Sequence, residues 1–72
     1  MNKDRAYTTA YGEVIDVGQK FILNDQIYKI EKLQVIRYAG LIASYTNSEG
    51  KLKKINIGIW TYNAEKNLWV QK

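Results

Sequence analysis

The chain has 72 residues, a net charge of +4, and neither cysteine nor histidine. A single domain of this size buries only about 60% of the surface its unfolded chain exposes, and here no disulfide can staple it. Without thiol or imidazole it lacks the usual nucleophile, the usual general base at neutral pH and the common zinc ligands.

The remaining catalytic options are thin. Ser44 and Ser48 are the only serines, and neither has a base nearby in sequence. Glu13 and Asp16 are three apart, so on a strand they face opposite sides and cannot work as an acid–base pair. No acid-rich loop has calcium or magnesium spacing, and the five glycines form no phosphate-binding loop. The expectation is a non-enzymatic protein with no cofactor and no metal.

A hydrophobic content of 46% with 25% charged residues is ordinary globular composition. No apolar run is long enough to span a membrane, and Met1 to Ala10 has no apolar signal core. The default compartment is therefore the cytoplasm. Heavy use of Lys, Asn, Ile and Tyr suits an AT-rich coding sequence, as in a low-GC bacterium, its phages or its plasmids.

In chain order, residues 1–11 read as a loosely ordered N-terminal arm, with Tyr7 and Tyr11 as its anchors, and 12–72 as a single β domain. Glu13 to Val17 reads as a short strand ended by Gly18, and Lys20 to Leu23 as a second. Asn24 and Asp25 both tolerate positive φ and predict a two-residue hairpin turn. That register sets Phe21 opposite Tyr28 and Ile22 opposite Ile27.

Gln26 to Tyr38 is ambiguous. Ile27, Ile30, Leu33 and Ile36 recur every three residues, and Gly40 follows, as at a helix end. Yet the apolar and the charged residues both spread around the whole helical wheel. The content of β-branched and aromatic residues favours strand, in two pieces with a phase slip near Lys32.

Leu41 to Thr46 reads as a strand and Asn47 to Gly50 as a turn. Lys51 to Tyr62 reads as one long strand, Asn63 to Asn67 as a polar loop, and Leu68 to Gln71 as the last strand. The fold class expected is all-β: a small five- to six-stranded, strongly bent antiparallel sheet or barrel. The strand order resembles SH3-like and other compact barrels in a general way. The alternative is α+β with a helix at about 26–38.

The functional signal lies at the C-terminal end. Lys51, Lys53, Lys54, Lys66 and Lys72 face one acid, Glu65, whereas residues 1–50 hold six bases and six acids. Both tryptophans, Trp60 and Trp69, share that segment. Alternation along 51–62 sets Ile55, Ile57 and Ile59 on a core face. Lys54, Asn56, Gly58, Trp60 and Tyr62 then fall on the opposite face. Lysines neutralise phosphate and exposed aromatics stack on bases, so this face predicts nucleic-acid binding, single strands favoured. Trp69 or Tyr45 would extend the face, and Lys51, Lys53 and Lys66 would add phosphate contacts. The same residues could instead anchor a host protein, as in a phage- or plasmid-type accessory protein that inhibits or adapts its target. A structural or homodimeric subunit is the third option. The nucleic-acid reading requires the Trp60 indole to reach solvent.

Overall fold

The computed structural model describes residues 7–71; residues 1–6 and Lys72 lie outside that range. The described chain is all-β, with nine short strands: β1 (Tyr7–Thr8), β2 (Val14–Ile15), β3 (Lys20–Leu23), β4 (Gln26–Lys29), β5 (Lys32–Ile36), β6 (Gly40–Thr46), β7 (Leu52–Asn56), β8 (Trp60–Asn63) and β9 (Leu68–Gln71). They do not form the single sheet of five or six strands expected from the sequence. They divide into a β1–β2 ribbon, a four-stranded sheet in the order β4-β3-β9-β8, and a three-stranded sheet in the order β5-β6-β7, none closed into a barrel. Nor is every pairing antiparallel, because β3 and β9 run parallel.

The β3–β4 hairpin forms as its turn residues dictate. Asn24 and Asp25 take φ of 52° and 65°, the left-handed pair whose twist matches that of the strands it joins. Phe21 pairs with Tyr28 and Ile22 with Ile27. The Asn47–Gly50 turn forms too. Asn47 Oδ1 accepts the N–H groups of Glu49 and Lys51, each at 2.9 Å, and Gly50 closes the turn at φ 80°.

Residues 26–38 contain β4 and β5, not a helix. The phase slip falls one or two residues before Lys32. Ile30 is fully buried, Glu31 and Lys32 both face out, and Leu33 returns to the core. The Ile30 N–H donates to the Gln19 carbonyl at 2.8 Å, and the next N–H, that of Glu31, donates to the Ser44 carbonyl at 2.8 Å. Within one residue the chain transfers its hydrogen bonds from one sheet to the next, and the extra outward residue is the cost of that bend.

The segment 51–62 is not one strand. β7 ends at Asn56 and β8 begins at Trp60. Asn56 Oδ1 accepts the Gly58 N–H at 3.1 Å, and Asn56 Nδ2 donates to the Ala39 carbonyl at 2.6 Å. A Cβ on Gly58 would sit 3.2 Å from the Leu41 Cβ, so a side chain there would require Leu41 to give way by a few tenths of an ångström. The turn inverts the phase: Ile57 is fully buried, Ile59 is 57% exposed, and Trp60 swings inward.

The N-terminal arm is joined to this turn over the residues described. β1 pairs with β2, Thr9 is buried, and the Ala10 N–H donates to the Gly58 carbonyl at 2.8 Å. Of the loose arm expected over 1–11, residues 1–6 are outside the described range, and 7–10 are held by pairing.

The core gathers Ile15, Ile30, Leu33, Leu41, Ile57 and an aromatic group around Phe21. The Phe21 ring meets Tyr28 at 5.7 Å, Tyr45 at 5.1 Å and Trp60 at 5.5 Å between centroids, the last two edge-on. Such pairs add about 0.5–1.5 kcal/mol each beyond their buried area. Phe21→Ala is therefore expected to cost about 3–5 kcal/mol, against a total of about 5–15 kcal/mol for an ordinary domain. Urea denaturation followed by circular dichroism checks this; an unchanged midpoint would mean that Phe21 does not join the sheets.

Candidate nucleic-acid interface

The structure disperses the face that alternation assembled. Trp60 is 2% exposed and Trp69 is 1% exposed. The Trp60 ring lies against Phe21. The Trp69 indole N–H donates to Gln19 Oε1 at 2.9 Å, which satisfies the one polar atom a buried indole must place. Neither indole can stack on a base. Tyr45 is buried beside Phe21 and Tyr28. Tyr62 is half-buried: its ring packs 5.1 Å from Trp69 and its hydroxyl donates to Asn67 Oδ1 at 3.0 Å. Asn56 is occupied by the Gly58 turn.

The lysines fare differently. Lys51 lies in the β6–β7 turn, Lys53 pairs with Tyr45 on the core-side face at the sheet edge, and Lys66 lies in the β8–β9 turn. Lys72 is outside the described range. Lys54 remains, exposed on the outer face of the three-stranded sheet.

Lys54 has company that the linear sequence does not show. The β5–β6 and β6–β7 registers both pair through Ser44, so Lys32, Ser44 and Lys54 form one row. Leu33, Ala43 and Ile55 form the next row and pack in the core, so the lysine row faces away from it. Two strand spacings separate Lys32 from Lys54, roughly 10 Å. On the neighbouring sheet Lys20 and Lys29 are direct cross-strand partners. They alternate with the inward-facing Phe21 and Tyr28, so they too point outward. Lys29 and Lys32 flank the Ile30–Glu31 bend.

The exposed lysines thus form a stripe that passes round this bend, with Lys20 and Lys29 on the outer face of the four-stranded sheet and Lys32 and Lys54 on the outer face of the three-stranded one. None of the four makes a side-chain hydrogen bond or ion pair within the described residues. Glu31 is the one acid within the bend. Like charges placed directly opposite, as in Lys20 and Lys29, work against sheet pairing.

The exposed aromatics are tyrosines. Tyr38, at the β5–β6 tip, is 98% exposed, and Tyr11 is 53% exposed. Tyr38 and Ile59 border a depression of about 410 Å³ lined by Thr8–Ala10, Ala39–Leu41, Asn56 and Gly58. Ile59 also borders a second, smaller depression with Tyr11, Trp60 and Gln71. Among the described residues no group of three or more acidic side chains gathers as a metal site, and no helix is long and apolar enough to cross a membrane.

No family model, curated protein or solved structure matches the chain.

Burial of both indoles has a direct optical consequence. Tryptophan emission is expected to be blue-shifted in the native protein and quenched weakly by iodide, with quenching restored in urea. Strong native-state quenching would mean that at least one indole lies at the surface.

Proposed function

We propose that the protein is a non-enzymatic nucleic-acid-binding module that grips the phosphate backbone with Lys20, Lys29, Lys32 and Lys54. The observation that carries this reading is the lysine stripe: four exposed cations, one pair on the outer face of each sheet, with no ion pair among the described residues and one acid, Glu31, at the bend between the pairs. Phosphates release condensed counterions when such cations replace them, and this term dominates non-specific binding. A polyanion would also relieve the repulsion between Lys20 and Lys29, which the fold leaves uncompensated. The stripe takes the role first assigned to Lys51, Lys53 and Lys66, and it needs no tryptophan. Such binding is sequence-independent and modest, with a Kd of about 10⁻⁶–10⁻⁴ M at physiological salt. The setting for this activity is the cytoplasm, where nucleic acid is met.

Fluorescence anisotropy with a labelled oligothymidylate, across a salt series, tests the reading. The logarithm of affinity should fall linearly with that of salt, and each stripe lysine changed to glutamine should remove about 0.7 from the slope. The lysines are exposed, so these variants should unfold at the wild-type temperature. A Lys32→Gln/Lys54→Gln protein with the parental slope, or no binding by the wild type at low salt, refutes it.

A second reading has an observation of its own. Ile59, Tyr38 and Tyr11 are large exposed side chains beside adjoining depressions, and tyrosine is a preferred anchor in protein interfaces. This suits an accessory protein that binds a host protein. Under that reading Ile59→Asp abolishes nuclease-resistant capture of the partner and leaves oligonucleotide affinity intact; capture that survives Ile59→Asp excludes the depressions as its site.

A further inference from the structure

We infer that the β5–β6 hairpin tip, Arg37 with Tyr38, is the base-stacking element of this surface and directs the protein to single strands. The inference rests on the phosphate-binding reading above and extends it from charge to the kind of strand recognised.

Tyr38 is anomalous in two independent ways. It is 98% exposed, so its ring contributes almost nothing to the core. It also sits at φ 72°, a conformation costly for a bulky L-residue. The other non-glycine residues with positive φ are Asn24, Asp25 and Asn67, the types that tolerate it. Tyr38 alone among the described residues combines a large ring with this strain and gains no burial in return. Strain of this kind gathers at ligand-binding and switch sites, and here it holds a ring open to solvent.

The tip is held in place before any ligand arrives. The Ala39 N–H donates to the Ile36 carbonyl at 3.0 Å and closes the turn. Asn56 Nδ2 donates to the Ala39 carbonyl at 2.6 Å and ties the tip to the end of β7. The Arg37 guanidinium lies 5.6 Å from the Tyr38 ring centroid, which orients the ring and places a cation beside it. Tyrosine rings and guanidinium planes are the two surfaces on which unstacked bases are taken up.

The tip also continues the lysine stripe. β5 runs from Lys32 to Ile36 and leads directly into Arg37 and Tyr38. Lys32 to Ile36 covers roughly 13 Å of extended chain, and Tyr38 stands just beyond it in the turn. A single strand could set its phosphates on Lys32 and Lys54 and turn a base onto Tyr38. A duplex keeps its base faces stacked, so it can use only the lysines.

The test compares a labelled oligothymidylate with a blunt duplex of equal length. Tyr38→Ala and Tyr38→Gly should each weaken oligothymidylate binding by about 5- to 100-fold, with duplex affinity and the salt slope unchanged. Tyr38→Phe should bind as the wild type does, because stacking needs no hydroxyl. Tyr38→Gly should also raise the thermal midpoint, since glycine takes this φ without strain; a residue kept only for the fold would lower it. If Tyr38→Ala binds oligothymidylate with wild-type affinity while Lys32→Gln/Lys54→Gln does not, the stacking inference is overturned and the phosphate reading stands. If the wild type binds neither probe at low salt, the phosphate reading has failed and the tip with it, the more so if a photo-crosslinker at position 38 traps a protein instead.

Discussion

The architecture is organised around the Phe21 ring. Its strand, β3, lies between β4 and β9 in the four-stranded sheet. Its side chain reaches out of that sheet to Tyr45 on the three-stranded one and also meets Trp60 on β8. A 72-residue chain without cysteine has no covalent means of joining two sheets, so burial of large rings must do it. That requirement claims both indoles. Trp60 packs on Phe21, and Trp69 is Phe21's partner across the parallel β3–β9 pair. The residues most suited to stacking on a ligand are committed to the core.

Two crossing points then decide what faces outward. At Ile30–Glu31 the chain leaves the four-stranded sheet for the three-stranded one, and at Ile57–Ile59 it returns. Each crossing shifts the alternation of side chains. The first turns Glu31 and Lys32 outward together. The second brings Trp60 inward and expels Ile59. A one-residue change of phase in a strand exchanges its two faces completely, so each crossing settles the exposure of everything after it. The lysine stripe and the buried tryptophans are consequences of the same bends.

Much of the local structure was legible in the residues. Asn24–Asp25 carried the β3–β4 turn and with it the Phe21–Tyr28 and Ile22–Ile27 pairs, because hairpin register follows from turn chemistry. The Asn47–Gly50 turn and the phase slip ahead of Leu33 were readable for similar reasons. The break in 51–62 was not read, although Asn56 followed two residues later by Gly58 is an Asx-turn signal. Unbroken alternation from Lys51 to Tyr62 masked it, and period-two patterning alone cannot say when a chain changes sheets. Alternation counted through that turn puts Trp60 and Tyr62 on the face of Lys54, whereas the turn swings Trp60 into the core. The stripe itself was hidden for another reason. Residues 1–50 balance to zero net charge along the chain, yet Lys20, Lys29 and Lys32 come from that neutral part.

The amino-acid sequence by itself determined the class of fold, most of its turns, the register of the first hairpin and the absence of imidazole and thiol chemistry. These depend on backbone preference and side-chain type within a few residues of one another. Only the tertiary structure decided which aromatics are spent on the core and which lysines stand together. Both depend on where the chain passes from one sheet to the next, and that is set by hydrogen bonds and ring contacts between residues far apart in sequence.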